Sequence, residues 1–289
     1  MQIGCHGLVW AGTVEPADFE RAVAKTLDAG FDLFEMPLFD PEAFDVDAVR
    51  EVLSAHPIAV SASMGQTADS DPHGDDLEAA KAAERKLLAA IDVLEALGSR
   101  YFVGALYTEL RKFERPASRT GRANAVRVVQ TAADRAAEAG ITLGLEVVNR
   151  YETNLFNTGR GALAFLDEVD RPNVGVHLDT YHMNIEESDM VQPVLDCAER
   201  LVYVHVGESH RGYLGSGTVD FDAFFTALVR IGYDGPVTFE SFSTAVVHED
   251  LSRMLAIWRD LWDDSDDLGA HANAFIRGRI RAAETIALH

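Results

Sequence analysis

Cysteine is nearly absent: Cys5 and Cys197 are the only two, and neither belongs to a Cys-x-x-Cys pair. Two isolated thiols exclude a disulfide scaffold, and their usage agrees with a reducing cytoplasm. Positive charge is scarce too. Against 47 Asp and Glu there are 25 Lys and Arg, a formal net charge of −22. A surface of that sign repels phosphate backbones and anionic lipid, so neither nucleic acid nor a membrane is expected as a partner. No apolar run approaches the roughly 18 residues that cross a bilayer. The opening MQIGCHGLVW has no basic segment ahead of an apolar one, so no secretory signal is expected. Also missing are HExxH, a Walker loop and a GxSxG elbow, which removes three common catalytic designs. Gly159, Gly161 and Ala164 do match GxGxxA. They fall well past the preceding strand, however, and a helix N-terminus introduced by Asn157 and Thr158 explains them better than a dinucleotide site.

What is present is a chain of 289 residues with 47% apolar content, enough for a large core. Short β-rich runs alternate with helical patterns throughout. The strands are expected at Gln2–His6, Asp32–Met36, Ile58–Ser63, Tyr101–Leu106, Thr142–Val148, Val174–Asp179, Leu201–Val206 and Val237–Ser241. Asp75–Leu97 and Arg119–Ala139 read as helices between them. Gly30, Gly98, Gly140 and Gly232 each close a helical run, where a left-handed residue belongs. Eight repeats of strand and helix predict an α/β fold, a single (β/α)8 barrel spanning residues 1–289. An open doubly wound sheet is the alternative. A further helix, about 269–287, is expected beyond the eighth strand, covering the barrel or a neighbouring subunit.

In such a barrel the chemistry sits at the C-terminal ends of the strands. Glu146, Asp179, His205 and Glu240 lie there on strands five to eight. Alternation along each strand turns them away from the flanking apolar residues, so three carboxylates and an imidazole converge. Their mutual repulsion calls for a divalent cation. Oxygen-rich ligands with one His suit Mn²⁺, Mg²⁺ or Co²⁺ better than a closed zinc site. A lone strand-end acid is more often a loop cap, but four in register on successive strands point to a site. His177, two residues before Asp179, is expected to be a hydrogen-bonded barrel residue or a support behind the ligands. Glu152, His182 and Arg211 follow the same strands, where loops can turn back over the metal. Glu208 and His210 read as supports or surface residues.

These stretches resemble the ketose 3-epimerases (D-tagatose 3-epimerase and D-allulose, or psicose, 3-epimerase) within the xylose isomerase-like TIM barrels. LEVVNRYETN, HLDTYHMNIEE, VHVGESHRGYLGSG and FESF carry the likeness, with CHGLVW and AHANAFIRGRI toward the two ends. The resemblance implies that Glu146, Asp179, His205 and Glu240 bind the metal, Mn²⁺ foremost. Glu152, His182 and Arg211 would grip the O1–O2 end of a ketose. It implies epimerisation of free ketohexoses at C3 through a cis-enediolate, with Glu146 and Glu240 as base and acid. A cytoplasmic homodimer or homotetramer is the expected state. His6 departs from the aromatic residue of several relatives, which bears on sugar preference. An aldose–ketose isomerase, a 2-epimerase, a phosphosugar enzyme using Arg211 with Gly212, Gly215 and Gly217, and a non-catalytic sugar-binding barrel are the rivals. An endonuclease-type barrel would need a basic face that this chain lacks.

Overall fold

In the computed structural model, which describes residues 1–13 and 16–288, eight strands close into one barrel in chain order. They are β1 Gln2–His6, β2 Leu33–Pro37, β3 Ala59–Ser63, β4 Tyr101–Gly104, β5 Thr142–Glu146, β6 Val174–Asp179, β7 Leu201–Val206 and β8 Pro236–Phe239. All neighbours are parallel, and β8 pairs with β1 to complete the ring. The open-sheet alternative is thereby excluded. The helices are α1 Pro16–Asp28, α2 Val46–Ala55, α3 Leu77–Ala96, α4 Arg119–Glu138, α5 Gly159–Val169, α6 Thr180–Glu186, α7 Gln192–Cys197, α8 Phe221–Arg230, α9 Glu249–Met254 and α10 Ser265–Ala287.

Local chemistry sets the helix ends. Asp76 caps α3 through the Glu78 amide, and Ser118 caps α4 through the Gly121 amide at 2.9 Å. Ala80, Ala83, Leu87, Ala90 and Leu94 recur at helical spacing and bury one face of α3. Gly30, Gly98, Gly140 and Gly232 all take positive φ, as the sequence predicts. Thr158 caps α5 through Gly161, so GxGxxA is a helix start; Asn157 instead ties the carbonyls of Val148 and Thr153.

The final helix begins at Ser265, earlier than the expected 269, because Asp264 accepts the amides of Asp266 and Asp267 and so opens another turn. It is clamped to this chain's own barrel. Asn273 donates to the Ala29 carbonyl at 2.8 Å, and Arg277 reaches Asp32 at 2.9 Å.

The main core lies between strands and helices. Inside the barrel, Leu33, Val103 and Tyr203 form a separate apolar plug. Above it the interior turns polar, with Glu35, Ser61, His177, His205 and Thr238 all fully buried. A register shift between β6 and β7 at Val176/His177 re-aims the residues beyond it. That polar layer is the floor of the site.

Candidate active site

Glu146 ends β5, Asp179 ends β6, His205 lies in β7, and Glu240 follows β8 directly. Each offers a ligand atom, and all four atoms lie within 4.8 Å of one another. The register pairs Asp179 with His205, and the Glu240 amide donates to Val206 at 3.1 Å. Parallel pairing therefore carries sequence position into spatial convergence.

The set fits a divalent cation on two observations. His205 Nδ1 and Asp179 Oδ2 are buried and make no hydrogen bond, an expensive condition unless another group completes them. In addition, three carboxylates share a pocket shielded from water. Their charge is offset within the chain by Arg211, whose Nη1 lies 3.0 Å from Asp179 Oδ2 and 2.7 Å from Glu240 Oε2. Burial raises the Asp179 carboxyl above its ordinary value. Burial pushes Glu240 the same way, but Arg211 and His205 outweigh it and hold Glu240 well below the carboxylate range. Burial likewise opposes ionisation of Glu146, and the surrounding imidazoles overcome it.

The other expected residues converge on the same place. His182 Nε2 lies 3.4 Å from Glu146, 3.7 Å from Asp179 and 3.9 Å from Glu152. Burial disfavours its cation, yet Glu152, Glu146 and Asp179 push its pKa up to about 9. Asn149 locks this corner, approaching His182 Nδ1 at 2.8 Å and donating to Glu152 at 2.7 Å. Arg211 takes a left-handed backbone with φ of 59°, a conformation that costs a non-glycine residue about 1–3 kcal/mol unless its surroundings impose it. They do impose it: its amide bonds the Glu208 carbonyl at 2.8 Å and its carbonyl accepts from Ser241. The guanidinium lies 4.0 Å from the ring centre of Tyr181 and 5.2 Å from that of Phe242. At Gly207 a Cβ would stand 2.7 Å from Arg211 Nη1, so a larger residue would have to displace the guanidinium from its place beside the acids.

Glu208 is the support the sequence suggests. Its carboxylate accepts the amides of Ser209, Gly215 and Val219 and shapes the loop that carries Arg211. His210 is half-buried in the same loop. His177 requires a correction. Neither ring nitrogen has a hydrogen-bond partner, because the rings of His205 at 4.2 Å and Tyr203 at 5.1 Å meet it nearly perpendicular. Burial drives its pKa down to about 3, so it is a neutral ring and not a hydrogen-bonded one; packed against His205 and near Glu146, it is the support behind the ligands that the sequence also allows. Sequence reasoning missed Glu35 on β2, which touches His205 from behind. The available signal was a carboxylate inside DLFEMPLF, a strand covered on both faces, where a buried charge needs a partner.

The opposite wall is apolar. Leu8, Pro37, Phe39, Leu110, Leu251 and Met254 face the acids and His182 across the pocket, and among its described lining residues Arg211 is the only Arg or Lys. A neighbouring cavity of about 340 Å³ opens beside Glu152, Tyr181 and Arg211.

A closed eight-stranded parallel barrel with three acids and an imidazole at its C-terminal face defines an α/β barrel with a candidate metal-binding cluster. The family model for the xylose isomerase-like TIM barrel matches residues 23–261, and the chain belongs to that family, among its ketose 3-epimerases. It is 58% identical over 289 residues to a ketose 3-epimerase of Arthrobacter globiformis, covering all of both chains. An L-ribulose 3-epimerase of Methylomonas sp. (strain DH-1) is 50% identical, with 96% of this chain and 98% of that one covered. The crystal structure of D-allulose 3-epimerase from Methylomonas sp. in complex with D-allulose superposes with a TM-score of 0.95 at 49% identity, covering 96% of this chain and 97% of the other. The chain is an epimerase of the isomerase class.

Proposed function

We propose that this chain interconverts free ketohexoses differing at C3, of the D-fructose/D-allulose and D-tagatose/D-sorbose type. The reading rests foremost on one arrangement. Two buried glutamates from non-adjacent strands, Glu146 and Glu240, flank a single cluster to which His182, Glu152 and Arg211 add hydrogen-bonding groups.

Removing the C3 proton of a neutral sugar generates an enediolate, which a buried site must stabilise electrostatically. Glu146 and Glu240 take the proton from one face and return one to the other, their roles exchanging with the epimer bound. His182, Glu152 and Arg211 hold the O1–O2 end and fix the reacting carbon between the carboxylates. Glu146, Asp179, His205 and Glu240 hold a divalent cation, which we assign as Mn²⁺ with Mg²⁺ or Co²⁺ as alternatives, and which supplies Lewis acidity toward the sugar oxygens when bound. The far end of the sugar meets the wall of Leu8, Phe39, Leu110 and Met254. Among the described residues lining this pocket the only Arg or Lys is Arg211, already engaged by Asp179 and Glu240, which favours free sugars over phosphosugars. We assign the protein to the cytoplasm, in keeping with its two free buried cysteines, and to a homodimer or homotetramer.

NMR of candidate ketoses with enzyme and Mn²⁺ in D₂O tests the reading. Deuterium is expected at C3 of both epimers. Label confined to C1 or C2, with an aldose as product, would make the enzyme an aldose–ketose isomerase instead.

A further inference from the structure

Behind His205 the barrel interior holds a polar network that the reaction as described does not use. Glu35 projects from β2 and is fully buried. Its carboxylate oxygens lie 2.9 and 2.8 Å from His205 Nε2, on a strand that is not a neighbour of β2. The Tyr203 hydroxyl donates to Glu35 Oε2 at 2.7 Å. That hydroxyl also lies 2.8 Å from Ser61 Oγ and 2.8 Å from Thr238 Oγ1. A phenol has one proton, already committed to Glu35, so Ser61 and Thr238 must be donors to its oxygen. The proton order is therefore fixed: two hydroxyls into Tyr203, then Tyr203 and His205 into Glu35. His205 Nδ1 has no hydrogen bond and stands 3.7 Å from Glu146 Oε1 and 3.5 Å from Glu240 Oε2.

We propose that Glu35 is a positioning residue: it accepts the Nε2–H of His205 and thereby aims Nδ1 at the cation site. The inference rests on the assignment of His205 as a ligand. With a cation on Nδ1, the imidazole keeps its one proton on Nε2, which is within hydrogen-bond distance of Glu35. The negative charge behind the ring makes the ligating nitrogen more basic, and loss of such a partner typically weakens metal binding about 10–100-fold. Tyr203, held by Ser61 and Thr238, keeps Glu35 from swinging away. A strand that supplies no ligand thus sets the orientation of one.

The test is calorimetric titration of Mn²⁺ into metal-stripped full-length protein, alongside the melting temperature of the stripped form. Glu35→Gln keeps volume and an acceptor oxygen but removes the charge, and should raise the Mn²⁺ dissociation constant about 10–100-fold. Tyr203→Phe, which leaves the carboxylate against His205, should raise it less. In a His205→Gln background Glu35→Gln should change Mn²⁺ affinity no further, since the two act as one unit. A lower melting temperature with an unchanged dissociation constant would reduce Glu35 to a structural residue and overturn the proposal, as would additive losses in the double variant. Should Glu35→Gln not fold, Glu35→Asp withdraws the same charge by one methylene. It must also weaken Mn²⁺ binding, and undiminished affinity would count against the proposal. If His205→Gln binds Mn²⁺ as tightly as wild type, the ligand assignment itself fails. If His205→Gln weakens binding and Glu35→Gln does not, only the role of Glu35 fails.

Discussion

Two carboxylate–imidazole pairs lie beyond or near the strand ends and spend their hydrogen-bonding capacity differently. At Asp71–His73, the polar atoms are mutually satisfied. His73 Nδ1 meets Asp71 Oδ1 at 2.9 Å, and Nε2 meets Asn154 Oδ1 at 2.8 Å. The same Asp71 oxygen accepts the amides of His73 and Glu109, while Asn154 donates onward to the Arg115 carbonyl. This network stitches together the loops after β3, β4 and β5. At His205 only Nε2 is held, by Glu35, and Nδ1 faces Glu146 and Glu240 with nothing bonded to it. A closed polar network rigidifies structure; an unpartnered ring nitrogen among buried carboxylates is a place for a cation. Residue type alone does not separate the two.

The largest test of that contrast is removal of metal. Exhaustive chelation should abolish epimerisation and lower the melting temperature, and Mn²⁺ or Co²⁺ should restore both, because a ligand that binds only the folded state stabilises it. Full activity in verified metal-free protein would erase the distinction. Next in size is Glu240→Gln, which keeps the side-chain volume and one oxygen but loses the base. Turnover should fall at least about 10²–10⁴-fold. With Glu146 retained on one face, the variant is expected to wash deuterium into C3 of one epimer without converting it, which NMR would reveal. Near wild-type epimerisation with metal bound would sink the two-glutamate mechanism.

Arg211→Ala sharpens the comparison from the sugar's side. It should raise KM about 10–100-fold, the scale of a lost charged hydrogen bond, and leave metal content unchanged by elemental analysis. Loss of metal would show that Arg211 serves the cation. The smallest effect is expected in the closed cluster. Asp71→Asn should cost about 1–3 kcal/mol of stability in denaturant titration while Mn²⁺ affinity stays at the wild-type value. Burial opposes the charge on Asp71, but its bonds to His73 and to the amides hold its pKa below the ordinary 3.8. A depressed carboxylate stabilises the fold above its ordinary value, so the gap between wild type and variant should close as pH falls through the lower folded value. A gap that widens with acid would show the sign of this interaction to be misread.

Much of this was legible in order along the chain. The eight strands follow from short β-rich runs, four of them preceded by Gly at a helix C-terminus, and Glu146, Asp179, His205 and Glu240 stand out because they interrupt apolar runs at strand ends. The start of α10 was misplaced because Asp264 caps from outside the apolar pattern. Of the two readings of His177, support behind the ligands holds and a hydrogen-bonded residue does not, because alternation gives the face a residue occupies but not what surrounds it there: two perpendicular rings.

Sequence alone determined the (β/α)8 order and the convergence of four candidate ligands, since strand period, turn chemistry and chain direction are local properties that parallel pairing carries into space. Only the tertiary structure decided that Glu35 of β2 meets His205 of β7, that Arg211 bridges Asp179 and Glu240, and that His73 is sealed while His205 is open. Each of these contacts crosses the barrel or joins separate loops. No periodicity encodes which residues become neighbours when the eighth strand closes on the first.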